Sequence, residues 1–362
     1  VQKLQISSRH AGGNIRVVGK SRGVVELEQE LRDTSGWWFY WNFCAESKEE
    51  RTVSFRFVNG EVVGPWGPAI SFDGIEWSWL GAESAPSRQE FIYRFRANEK
   101  VYFSFCLPYQ ISHFERFYEQ ISPNRHVRRK VLAISEQLRP IPLLSIGNPS
   151  AEQHLVFTCR HHSCESTPAY VIEGILESIL TASNPSFLQN YCIHYIPFID
   201  IDGVENGDQG KNRIPHDHNR DYTGAPIYRV TSAVMNYVEP FAITAAIDFH
   251  GPYKWGGGND VPFVVRKGSP IKEECERFGA YLEQMTTDLE ISYDPRNDIE
   301  LGEGWNQPGT PNCSSFFEKH GAKLACSLEF PYFGREGAVV TVQSARTFGA
   351  SFAQALEAYL SS

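Results

Sequence analysis

The sequence predicts an α/β fold, a mixed and mainly parallel sheet with helices on both faces, preceded by an antiparallel β-sandwich. Three observations carry that expectation. At 362 residues the chain is comfortable for two domains. Its first third alternates apolar and polar residues with period two, between turn signals. After the Ser122-Pro123-Asn124 turn, apolar strand-like runs alternate with helical patterns, the mark of a parallel sheet covered on both sides. The expected division is residues 1–122 and residues 123–362.

In the first unit, Trp37-Trp38-Phe39-Tyr40-Trp41 is apolar on both faces and reads as a central strand. Val53, Phe55 and Phe57 alternate with polar neighbours, and Val101, Phe103, Phe105 and Leu107 repeat the pattern. Residues 89–97 form a weaker version, while Asn59-Gly60, Gly64-Pro65 and Asp73-Gly74 mark turns. Arg125-His126-Val127-Arg128-Arg129-Lys130 reads as a solvated face or a linker. In the second unit the expected strands are 155–159, 192–201, 242–249 and 323–330. Helices are expected from Thr167-Pro168 to about Leu180, from Arg229 to about Val238, and over 271–287 and 340–360. Gly256-Gly257-Gly258 is the one flexible-looking segment, and there is no internal repeat.

Composition removes several function classes. With 34 basic against 43 acidic residues the net charge is −9, so nothing draws the chain to a phosphate backbone and nucleic acid is not an expected partner. No apolar run approaches the roughly 20 residues that span a bilayer, and no membrane association is expected. Val1-Gln2-Lys3-Leu4 does not begin a signal peptide, although the missing initiator methionine leaves room for a removed leader. The eight cysteines show no framework spacing and no CxxC, which reads as buried thiols in a reducing compartment, hence a cytoplasmic expectation.

His162-Ser163-Cys164-Glu165 and Asp248-Phe249-His250-Gly251 supply two imidazoles and a carboxylate at apparent strand ends. Three such ligands leave the open position of a catalytic zinc. His-x-x-Glu alone is short enough to arise by coincidence, His161 offers a competing ligand, and a strand-end histidine more often only hydrogen-bonds. The polar loop 202–222 lies between the two segments and holds Arg213, Asn219 and Arg220. An ordinary solvated loop is its plain alternative, but a guanidinium beside an asparagine amide suits a carboxylate. Glu329, closing the apolar Leu324-Ala325-Cys326-Ser327-Leu328 run, either snorkels to the surface or is desolvated into a general base.

In order and in local context, HSCE at 162–165, DGVENG at 202–207, Arg213, DHNRDY at 217–222, DFHG at 248–251 and SLEFPY at 327–332 resemble the M14 zinc metallocarboxypeptidases. The resemblance covers about residues 140–362. The aromatic β unit, in SGWWFYWNF and KVYFSFCLPY, looks like the amino-terminal domain of the cytosolic carboxypeptidase subgroup. The resemblance implies a zinc carboxypeptidase-like fold and one zinc ion per chain, held by His162, Glu165 and His250. It implies that Arg213 polarises the scissile carbonyl and that Asn219 and Arg220 grip the substrate's terminal carboxylate. Glu329 would be the general base, and Asp217 would hold a ligand histidine, His162, from behind. Peptide or protein C-termini would be the substrates. The family's capping tyrosine has no counterpart in residues 301–317, and Tyr293 and Tyr253 lie outside its usual context. Cys313-Ser314-Ser315 are candidate lining residues of the specificity pocket. A deacylase for N-acyl amino acids and a non-catalytic binder of peptide C-termini are the competing readings.

Overall fold

A computed structural model describes residues 4–36, 38–182, 185–268 and 270–362. The first unit is two facing sheets. Strands β1 (Leu4–Ser7), β4 (Asn42–Ser47), β9 (Glu99–Ser104), β6 (Ala69–Ser71) and β7 (Ser78–Trp79) make one, in that spatial order. Strands β2 (Arg16–Ser21), β3 (Val24–Glu28), β5 (Arg51–Phe57) and β8 (Glu90–Phe95) make the other. All pairings are antiparallel except β3 with β5. The period-two residues Val53, Phe55 and Phe57 point inward and meet Trp41, Phe43, Phe91 and Phe103 in one aromatic core.

Trp38 to Trp41 is not the central strand that its apolar sequence suggests; Trp37 lies outside the described residues. The backbone of Tyr40 is taken by a side chain instead, with its N–H donating to Gln209 Oε1 (2.9 Å) and its carbonyl accepting from Gln209 Nε2 (2.8 Å). The segment is apolar on both faces because it runs between the sandwich and the second unit, where Phe39 meets both Phe105 and Tyr332.

The second unit is a seven-stranded sheet in the order β10 (Val127–Ile134), β11 (Pro140–Gly147), β13 (Tyr191–Ile196), β12 (Gln153–Cys159), β14 (Ile243–His250), β16 (Leu324–Glu329) and β15 (Phe263–Val265). Pairings of β12, β13, β14 and β16 are parallel, and the sheet turns antiparallel toward both edges. The basic run 125–130 therefore enters a strand rather than a linker. Arg128, Arg129 and Lys130 are tolerated there because β10 is an edge strand with an exposed side.

The expected helices are present as α2 (Thr167–Thr181), α5 (Arg229–Val238), α6 (Lys272–Thr286) and α8 (Val342–Ser361). Two shorter helices are α4 (Ile201–Asn206) and α7 (Cys313–Lys319). Alternate residues of a strand face opposite ways. Phe249 packs on Phe157 and on Phe352 of α8, whereas its neighbour Asp248 meets Thr158, itself beside Cys313 of α7. Helices thus cover both faces. A helix over Ile111–Ile121 buries Phe114, Phe117 and Ile121 in this second core, which begins at Leu107 apart from Ala69. All eight cysteines are buried and unpaired. Among the described residues, no helix is long and apolar enough to cross a membrane.

The sandwich braces the polar loop of the second unit. Ser35 N–H donates to the Asn212 carbonyl (2.9 Å), and Ile214 N–H donates to that of Asp33 (3.1 Å). Asn14 Nδ2 donates to the Gly207 carbonyl (2.7 Å). Residues 206–214 are therefore fixed from outside rather than free in solvent.

Candidate metal centre

Strand β12 delivers its chain to the C-terminal edge of the sheet, where α/β folds keep their crevices. There Arg160 turns the backbone sharply in the left-handed region, at φ 62°. Its buried guanidinium holds the turn by donating to the Ser163 and Tyr109 carbonyls. Gly210 packs so closely beneath that a Cβ there would fall 2.2 Å from Ser163 N. The turn presents His162 and Glu165 just before α2 begins at Thr167-Pro168. On β14, the strand paired directly with β12, Asp248 and His250 project to the same side.

His162, Glu165 and His250 converge. His162 Nδ1 lies 2.8 Å from Glu165 Oε1, and His250 Nδ1 lies 2.8 Å from Glu165 Oε2. The outer nitrogens are also held: His250 Nε2 is 2.6 Å from Asp248 Oδ2, and His162 Nε2 is 3.7 Å from Asp217 Oδ1. Carboxylates behind imidazoles fix the tautomer that leaves the inner nitrogen free to bind metal. Two nitrogens, one carboxylate and two supporting carboxylates fit a zinc-type ion with an open position. The competing His161 is turned away, with Nδ1 2.8 Å from Asp248 Oδ1 and Nε2 2.8 Å from the Tyr222 hydroxyl.

The electrostatics follow from that density of charge. Burial opposes ionisation of Glu165, but His162, Lys211 and His250 hold it well below the usual carboxylate range. His250 is likewise desolvated, yet Asp248 and Glu165 raise it well above an ordinary histidine. Glu329 behaves oppositely: burial pushes it up to about 7, with Glu165 adding to the rise against His250 and Lys211. It is paired in register with His250 across β14 and β16, and its buried Oε2 has no hydrogen-bond partner among the described residues.

His162, Glu165, Lys211, His250 and Glu329 line a cavity of about 460 Å³ together with Asp217, Asn219 and Arg220. Asp217 caps the short turn 218–220 by accepting from Arg220 N (3.1 Å), which aims Asn219 and Arg220 inward. Asn219 Oδ1 accepts from Cys313 N (3.0 Å), and its Nδ2 lies 3.3 Å from His250 Nε2.

Arg213 is placed elsewhere. It does not line the cavity; its guanidinium donates to Asp200 (2.5 Å) and Asp208 (3.2 Å) and is bound by Asp33. Three carboxylates occupy the fork that the expected carbonyl contact requires, so that expectation is corrected. The cation that lines the cavity beside the metal donors is Lys211, whose Nζ lies 2.6 Å from Glu165 Oε1 and 3.1 Å from the Gly251 carbonyl.

Tyr293 is buried away from the cavity, donating to Asp298 (2.5 Å). Tyr253, half exposed, lines the mouth with Trp38 and Trp305. Deeper in, Ser314 lines the wall, as do Ser327 and Lys267. Lys267 is buried and donates to Asn312 Oδ1 and Ser315 Oγ (3.1 Å each); among the described residues no carboxylate lies within salt-bridge distance of it. Sequence reasoning missed Lys211, Lys267 and Asp248. The Asp-x-His spacing on one strand face was a usable signal for Asp248. A charged pair straight after the apolar Phe263-Val264-Val265 was one for Lys267.

No family model matches the chain. In sequence it is similar to cytosolic carboxypeptidase 6 of Caenorhabditis elegans, at 24% identity over 236 residues, covering 55% of this chain and 50% of that protein. It is also similar to mouse cytosolic carboxypeptidase 3, at 22% over 213 residues, covering 54% and 21%. The chain thus spans half or less of the curated relatives it matches. In structure it superposes on a metallo-carboxypeptidase from Burkholderia cenocepacia with TM-score 0.82, 15% identity and 99% coverage of both chains. A Pseudomonas aeruginosa metallo-carboxypeptidase, in complex with (2-guanidinoethylmercapto)succinic acid, gives 0.79 at 17% identity, again over 99% of both. The chain has their fold.

Proposed function

We propose that this cytosolic-carboxypeptidase-like chain, of M14 type, is a zinc-dependent metallocarboxypeptidase that hydrolyses the C-terminal peptide bond of peptides or proteins. One observation carries the reading: three convergent metal donors, a buried unpartnered Glu329 and an inward-facing Arg220 share one cavity in a carboxypeptidase fold. A deacylase for N-acyl amino acids would need the donors but no brace from a second unit. A mere binder of C-termini would have no use for a desolvated Glu329. The division at about residue 122 and a cytoplasmic location belong to the same proposal.

His162, Glu165 and His250 would hold the metal, with Asp217 and Asp248 behind the histidines. A zinc ion there supplies Lewis acidity toward water and toward a carbonyl oxygen. Glu329 accepts a proton from the attacking water at its free Oε2 and returns it to the departing amine. Arg220 and Asn219 bind the terminal carboxylate, which restricts cleavage to a chain end. Lys211, in place of Arg213, puts a positive charge beside the carbonyl where negative charge develops. Tyr253, a lining residue, would cover the mouth.

Replacing Arg220 with alanine should raise KM about tenfold to a hundredfold for peptides with a free carboxyl end, by loss of a charged hydrogen bond. Amidated peptides should be indifferent; equal effects on both would move the anchor elsewhere. Lys267, desolvated and with no carboxylate partner among the described residues, favours an acidic terminal side chain in the deeper wall. The ratio of kcat/KM for Glu-ended over Leu-ended peptides should fall in Lys267→Met, and an unchanged ratio would remove Lys267 from specificity.

A further inference from the structure

At the far end of β12 from the catalytic donors lies a second group of soft ligands. His154 pairs in parallel register with Cys192, and His194 follows Cys192 by two residues on β13. Paired residues and residues two apart share a face, so all three side chains project to one side of the sheet. All are buried, and one donor atom from each lies within 4.8 Å of the others. His154 Nδ1 and His194 Nε2 are 2.9 Å apart. Phe241 packs against both rings, with centroids at 4.4 and 4.9 Å, and shields them from water.

We propose that His154 Nδ1, His194 Nε2 and Cys192 Sγ form a second metal site, separate from the catalytic centre, for a thiophilic ion such as zinc.

The donor set favours this class of ion. One thiolate and two imidazoles suit zinc or monovalent copper, while calcium and magnesium need oxygen ligands that the cluster lacks. Tetrahedral zinc spaces nitrogen and sulfur donors about 3.3–3.6 Å apart. The histidines need therefore open by only about half an ångström. The support is in place as well: the Tyr237 hydroxyl lies 2.9 Å from His194 Nδ1. A neutral His194 with its proton on Nδ1 donates to that oxygen and leaves Nε2 free. Lys130 sits over the Tyr237 ring, 4.2 Å from its centroid. Burial keeps both imidazoles neutral, with His194 pushed down to about 3 and His154 also lowered. Binding releases the Cys192 thiol proton to solvent. The ion would clip the starts of two neighbouring strands whose other ends lead into the catalytic turns.

Cobalt(II) distinguishes the sites, because the catalytic donors contain no sulfur. The full chain, loaded with cobalt and freed of excess, should bind about two ions and show a thiolate-to-cobalt band in the near ultraviolet. Cys192→Ser should lose the band and one ion; His162→Ala should lose one ion and keep the band. His194→Gln gives the same readout if Cys192→Ser fails to fold. A single ion per chain that is lost in His162→Ala, no near-ultraviolet band, or a band that survives both Cys192→Ser and His194→Gln would overturn the proposal. It does not depend on peptide hydrolysis: an inactive protein that binds the sulfur-ligated ion would leave it standing.

Discussion

Glu329→Gln should lower kcat by about two to four orders of magnitude without releasing metal, the effect of removing a positioned general base. The amide keeps the volume of the side chain but cannot take a proton. The environment makes the base selective as well as necessary. Glu329 closes a fully buried strand, and its Oε2 has no partner among the described residues, so desolvation holds its carboxyl up to about 7. Only the ionised form accepts a proton, so kcat/KM should fall as pH drops, on a limb lying below about 7 because a bound cation lowers this carboxyl further. That limb should vanish in the variant's residual rate.

The same raised value has a stability consequence of definite sign. A carboxyl whose folded-state pKa lies above its unfolded one binds its proton more tightly when folded. Its contribution is present at low pH and is lost as pH rises from the unfolded value through about 7. In metal-stripped protein at pH 8, Glu329→Gln should therefore melt higher than the wild type. An equal or lower melting temperature would mean that the carboxylate is already satisfied.

Lys211→Ala should cost about 10²–10³ in kcat, the range for losing one group that stabilises a developing oxyanion. Its Nζ reaches Glu165 inside the cavity, where low dielectric strengthens every charge. Arg213→Ala should act differently. It strips a buried guanidinium from Asp200 and Asp208 and lowers stability by about 3–5 kcal/mol, leaving carboxylates uncompensated. The folded fraction should still turn over. Denaturation curves and single-turnover rates on both variants separate the roles. A stable but inactive Arg213→Ala beside an active Lys211→Ala would restore the arginine to catalysis.

This contrast marks where sequence reading works and where it stops. The core strands were legible because Leu155, Phe157, Ile247 and Leu328 belong to mostly apolar runs, buried in a sheet covered on both faces. His250 and Glu329 were legible because each closes such a strand, and His162 and Glu165 because they lie in the turn between one and the next helix. Loop 202–222 has no period, so no spacing in it told Lys211 from Arg213; the choice is made by Asp33 from the other unit together with Asp200 and Asp208, which the fold brings onto one guanidinium. Tyr40 misled for a related reason, since its strand-like surroundings conceal a backbone bonded to Gln209 from the other unit. The hairpin of β10 and β11 escaped because an exposed edge strand can carry Arg128, Arg129 and Lys130 like any solvated loop.

The central claim is tested most directly by mass spectrometry of a peptide pool with varied C-termini, incubated with the protein as purified, after chelation, and after zinc is restored. The account predicts products one residue shorter at the C-terminus, absent after chelation and regained with zinc, from free-carboxyl peptides only. Internal cleavage, trimming of amidated peptides, or trimming that persists without metal would contradict it.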